Sequence, residues 1–152
     1  MRKHTRRKVY ELVNPITHAM QGAAVTAKHL LDKLRMKELS AIESFRTGTA
    51  TRHDWMAIAD YLNLCECLAL DGVGPEALEP CQMAQEALGS AHERLQRTGR
   101  LGVTGPELQA LRDAYSFHDL QRQSISRSRY EDAIRTTAAR IRSAPESVKV
   151  YA

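Results

Sequence analysis

Helix-opening signals punctuate this chain from end to end, and they leave little room for a sheet. Asn14-Pro15 joins a capping side chain to a first-turn proline, and Thr26 can cap the segment that follows. Thr51 caps a third segment, with Asp54 complementing the positive helix end. Gly72-Val73-Gly74-Pro75-Glu76-Ala77-Leu78 is echoed by Gly102-Val103-Thr104-Gly105-Pro106-Glu107-Leu108, each a glycine turn, a proline and a glutamate. Thr104 with Glu107 and Ser128 with Glu131 have the spacing of a capping box. Two copies of one phrase fall short of the three that a stacked repeat needs, so the echo is read as recurring cap chemistry.

Between these signals the apolar residues recur at the helical period. The expected segments are residues 14–24, 26–46, 51–71, one opening between Pro75 and Pro80, one after Thr104, and one from Ser128 to Ala144-Pro145. Leu30, Leu31, Leu34, Leu39, Ile42 and Phe45 make a broad buried face on the second, and Trp55, Ile58, Ala59, Leu62 and Cys65 one on the third. The fourth carries Ala77, Cys81, Ala84, Leu88, Ala91 and Leu95, a narrow seam of small residues that admits another helix closely. That seam packs inside the monomer or, through Ala84, Leu88, Ala91 and Leu95, against a second copy in a homodimer. In the sixth, Tyr130, Ala133, Ile134, Thr137, Ala138 and Ile141 form the inner face. Aromatics make up only 5% of the chain and alanine and leucine dominate its apolar 43%, which again favours helix over strand.

The expected architecture is an all-α, single-domain bundle of about six helices, with a basic N-terminal arm (1–13), a helical domain (14–144) and a loose tail (145–152). Within that tail Val148-Lys149-Val150-Tyr151 could pair as a strand or clasp a partner. No apolar run is long enough to span a bilayer and the basic N-terminus lacks a signal-peptide core, so a cytoplasmic protein is expected. Three cysteines, an odd number without framework spacing, are expected to be reduced thiols.

Charge separates along the chain. Residues 1–13 carry Arg2, Lys3, Arg6, Arg7 and Lys8 against Glu11, and residues 121–152 carry seven basic groups against three acids, about +4 at each end. The middle totals −4. Such an arrangement orients a molecule towards an anionic partner. The candidate contacts to phosphate, or to an acidic protein, are therefore Arg2, Lys3, Arg6, Arg7, Lys8, Arg122, Arg127, Arg129, Arg135 and Arg142.

Catalytic and metal chemistry find little support. Cys65 and Cys67 point to opposite sides of a helix, and no second Cys/His pair follows at ligand spacing, so no metal is expected. None of His4, His18, His29, His53, His92 and His118 forms an i, i+4 pair; His118 sits on an apolar stripe, where a hydrogen-bonded core role is favoured over a catalytic base. There is no phosphate-cradling loop and no Gly-x-Ser-x-Gly. No cofactor and no enzymatic activity are expected. A helix-turn-helix opening at Trp55 fails as well, because residues 64–74 contain Glu66 and Asp71 and no basic side chain.

The runs Lys33-Leu34-Arg35-Met36-Lys37-Glu38-Leu39, Phe45-Arg46-Thr47-Gly48-Thr49-Ala50-Thr51 and His118-Asp119-Leu120-Gln121-Arg122-Gln123-Ser124-Ile125-Ser126-Arg127 resemble small helical proteins of bacterial phages and plasmids, some loosely labelled transcriptional regulators. The resemblance carries over no functional residue. It implies a bacterial host and an accessory role in gene control or in countering host defence. Two functions follow: a non-enzymatic, nucleic-acid-associated regulator, or a protein-interaction module or inhibitor that binds a host protein through its charged faces.

Overall fold

The computed structural model describes residues 28–148. The basic arm, the expected helix over 14–24 and residues 149–152 lie outside the described residues. Five α-helices are present and no strand among those described: α1 (Lys28–Thr47), α2 (Arg52–Leu70), α3 (Leu78–Thr98), α4 (Gly105–Ser124) and α5 (Arg127–Ser143). Two 3₁₀ turns, Pro75–Ala77 and Glu146–Val148, complete the path, and the strand considered at 148–151 lies outside the described residues but for Val148. No helix among the described residues is long and apolar enough to cross a membrane.

The hub is α2. Trp55, Ala57, Ile58, Tyr61, Leu62, Cys65, Cys67, Leu68 and Ala69 are all buried, so apolar surface covers most of its circumference and it takes neighbours on several sides. It packs against α1, α3, α4 and α5, while α1 and α3 each also pack on α4. Thr51 caps its start as expected, and Asp54 closes a capping box with it. Gly48 (φ 73°) turns the chain between α1 and α2, with the Thr49 amide donating to Ser44 O at 2.9 Å, and this short connection makes the two helices an antiparallel pair.

The link from α2 to α3 follows the glycine-proline phrase. Gly74 adopts φ 58° and precedes the 3₁₀ turn, and a Cβ there would meet Gln121 Cγ at 3.1 Å. The α-helix then opens at Leu78, so Pro80 falls in its first turn, where its missing N–H costs nothing. Thr104 and Glu107 close the second capping box at the head of α4.

Three expectations are corrected. Helix α5 is capped by Ser126, which accepts from the Arg129 amide at 3.2 Å; Ser128 lies inside the first turn, and Glu131 receives the Arg127 guanidinium instead. Leu39 is 46% exposed, because the buried face of α1 runs through Leu31, Glu38, Ala41, Ile42 and Phe45 and puts position 39 off to one side. Ile134 and Ile141 are 45% and 44% exposed, since α5 packs on α2 at the edge of the bundle and buries only Tyr130, Ala133 and Thr137.

Candidate docking groove and the charged surface around it

The seam on α3 belongs to the core. Ala84, Leu88 and Ala91 are buried and Leu95 half-buried, facing the hub and α4, so the surface proposed for a homodimer is used within the monomer. Trp55 ties the two helices together through its indole N–H, which donates to Leu88 O at 3.0 Å.

Among the candidate cationic contacts, Arg122 is no surface group. Its side chain is 1% exposed, donating Nη1 to Glu38 Oε1 at 2.8 Å and Nη2 to Asp119 Oδ1 at 3.0 Å. Asp119 also takes Nε and Nη2 of Arg35 at 2.9 and 3.0 Å. Burial opposes the charge on Arg122, but Glu38 outweighs it and holds the guanidinium above its ordinary value. Burial likewise works against the Asp119 carboxylate, and Arg35 and Arg122 overcome it, holding that group low. This cluster joins α1 to α4 and offers nothing to phosphate.

The other α5 candidates are exposed and largely engaged. Arg127 pairs with Glu131 at 2.9 Å, Arg135 pairs with Asp132, and Arg140, which the sequence did not single out, pairs with Asp71 at 3.2 Å. Arg129 and Arg142 are exposed and make no ion pair among the described residues. They sit about 140° apart around the helix, so the fold does not gather them on one face. Arg2, Lys3, Arg6, Arg7 and Lys8 lie outside the described residues.

A polar cluster lies sealed inside the bundle. His118 is stacked on Tyr61, its Nδ1 is 3.1 Å from Gln121 Oε1, and the Gln121 amide donates to the carbonyls of Cys65 and Val73 at 3.2 and 2.8 Å. Tyr61 donates to Leu111 O at 3.0 Å and Cys81 to Leu62 O at 3.1 Å. The Cys81 side chain, with His118 behind it, pulls the Cys65 thiol below its ordinary range, while Cys65 and burial push the Cys81 thiol up. His118, Cys65 and Cys81 are all 0% exposed, so a substrate has no path to them and their role is packing and positioning. No cluster among the described residues has the donor set of a metal site.

The surface feature that the sequence did not indicate is a groove of about 720 Å³ along the outer face of α2, flanked by α3 and α5. Met56, Ala59 and Leu70 line it from α2, Leu88 and Gly89 from α3, and Ile141 from α5. Leu70 is 58% exposed, unusual for a leucine on the central helix. The Arg140–Asp71 pair fastens the end of α5 beside the end of α2, and Gln85 donates to Glu66 Oε2 at 3.1 Å across the α3 wall. Two polar groups are left open there. Burial raises the Asp60 carboxyl, opposed by Lys37 of α1, and Asp60 has no ion pair among the described residues. The Thr137 hydroxyl, in a residue 8% exposed, has no hydrogen-bond partner.

Those features fit an amphipathic helix. The groove runs from Met56 to Leu70, about 21 Å or four helical turns at 1.5 Å per residue. Its lining is apolar, and its net acidity from Asp60 and Glu66, with Arg140 already paired, favours a basic occupant. No family model, curated protein or solved structure matches the chain.

Proposed function

We propose that the protein is a non-enzymatic interaction module that receives a basic amphipathic helix of a partner protein in the groove on α2. The observation that carries the reading is the combination of an apolar lining with an exposed Asp60 that makes no ion pair among the described residues. Burying the lining supplies affinity, and a lysine or arginine on the incoming helix pairs with the Asp60 carboxylate and sets its register. Such a module acts as an accessory regulator or inhibitor in the cytoplasm of a bacterial cell, in keeping with the resemblance to proteins of mobile elements.

Trp55, the one tryptophan in the chain, borders the groove and provides the readout. Titrating the full chain with a four-turn leucine/lysine amphipathic peptide should change Trp55 fluorescence saturably, and the leucine/glutamate counterpart should not. Ala59→Arg, which fills and recharges the lining, should abolish the response. No saturable response to the lysine peptide, or equal responses to both peptides, would overturn the reading.

A second reading, nucleic-acid association, is favoured by the exposed, unpaired Arg129 and Arg142 together with the +4 charge at each end. Under it, Arg129→Glu/Arg142→Glu weakens binding to random duplex DNA and lowers the salt slope by about 2, one phosphate contact per arginine. An unchanged slope removes these residues from any phosphate contact.

A further inference from the structure

Spacing along the floor of the groove singles out one layer. Met56, Ala59, Asn63, Glu66 and Leu70 line it from α2 at intervals of three, four, three and four residues, the alternation of a coiled-coil seam. The ends of this seam are apolar and open, with Met56 45% and Leu70 58% exposed. Its midpoint is Asn63, seven residues from either end, half-buried and making no side-chain hydrogen bond among the described residues. The polar contacts along the groove bypass it, since Gln85 reaches Glu66 and Arg140 reaches Asp71. On the α5 flank the Thr137 hydroxyl is likewise without a partner, in a residue 8% exposed. The middle of an otherwise apolar groove therefore carries hydrogen-bonding capacity that the monomer does not use.

We propose that Asn63 determines which helices the groove admits: the partner is a basic amphipathic helix whose apolar stripe is interrupted at its middle position by a side-chain amide, paired with that of Asn63. The inference rests on the reading of the groove as a docking site for a basic helix and adds its specificity. While the groove is open, water satisfies the Asn63 amide. A helix laid along the seam removes that water, and a leucine facing Asn63 leaves its N–H donors and carbonyl acceptor unmet, which lowers affinity. An asparagine there both donates to and accepts from Asn63. One buried asparagine layer in a coiled coil fixes register in the same way. A stripe slipped by one heptad sets its amide against Met56 or Leu70 and an apolar side chain against Asn63, two mismatched layers that reject the wrong register. Because Asn63 lies midway along the seam, the layer is matched by an occupant running in either direction along α2.

The test titrates the full chain, followed by Trp55 fluorescence, with the leucine/lysine peptide and with two versions of it that carry one asparagine, at the middle or at the first position of the apolar stripe. The middle-asparagine peptide should bind about tenfold more tightly than the all-leucine one, and the first-position peptide more weakly than either. In Asn63→Leu the ranking should invert, with the all-leucine peptide tightest, a reversal that a general loss of stability does not produce. Asn63→Ala, which adds no apolar bulk, should bring the all-leucine and middle-asparagine peptides within about twofold of each other. An all-leucine peptide that binds the unsubstituted chain as tightly as the middle-asparagine one, or a preference that survives both substitutions, would overturn the proposal. If the all-leucine peptide binds saturably and the preference is absent, the Asn63 layer fails and the docking site stands; if no peptide binds, both fail.

Discussion

Replacing Arg122 by methionine tests the buried ion cluster, and its cost can be worked from the geometry. The substitution keeps an unbranched side chain of similar length but removes the cation facing Glu38, whose side chain is 7% exposed and whose Oε2 already has no hydrogen-bond partner. Asp119 keeps Arg35, so the penalty falls on Glu38. Breaking a buried pair from one side costs about 3–5 kcal/mol. The variant should therefore lose about 3–4 kcal/mol at pH 7, of the order of 10 °C in Tm for a domain of this size. Arg122→Met/Glu38→Leu, which removes both charges, should recover at least half of the loss. Urea denaturation followed by circular dichroism at pH 7 measures both variants. A cost under about 1 kcal/mol at pH 7 would refute the reasoning.

Ser126→Ala should cost about 1 kcal/mol in the same assay and Ser128→Ala only a few tenths, because only Ser126 caps α5; the reverse order would move the cap. Ala91→Leu, at a position with no exposed surface, should overpack the α3 seam and cost about 1–3 kcal/mol without changing sedimentation behaviour, whereas a dimer dissociating on this change would place the seam at an interface. Asp119 and Glu107 are both buried enough to resist ionisation, yet Arg35 and Arg122 hold the first below its ordinary value and Arg94 and Thr104 the second. With folded values depressed, their stabilisation is full above the ordinary carboxylate values of about 3.9 and 4.3 and fades as pH falls through the lower folded ones. Asp119→Asn should accordingly flatten the acid limb of the stability curve below about pH 4, and an unchanged limb would contradict it.

Local chemistry was legible in the sequence, and long-range geometry was not. Thr51 with Asp54 and Thr104 with Glu107 cap their helices as their spacing requires, since a cap involves only four consecutive residues. Gly74 and Pro75 mark the turn for the same reason. Ser126 and Ser128 show the limit: both can cap, the box spacing favours Ser128, and the helix begins two residues earlier, with Glu131 free to pair with Arg127. Arg122 was misread because its acid, Glu38, lies 84 positions away amid other charges and has no periodic signature. Leu39, Ile134 and Ile141 were placed inside because helical periodicity gives a stripe but not its width, which depends on how many neighbours the helix has. The groove is space between three helices, and no residue spells it. Its trace in the sequence is surplus: Met56, Leu70 and Ile141 are apolar beyond what the core uses.

The central claim is that the outer face of α2 receives a basic amphipathic helix, and amide and methyl shift mapping of the full chain with the leucine/lysine peptide tests it most directly. The account predicts saturable shifts concentrated at Met56, Asp60, Leu70, Gln85 and Ile141, with Arg129 and Arg142 unmoved. Shifts confined to the exposed face of α5, or none up to saturating peptide, would contradict it.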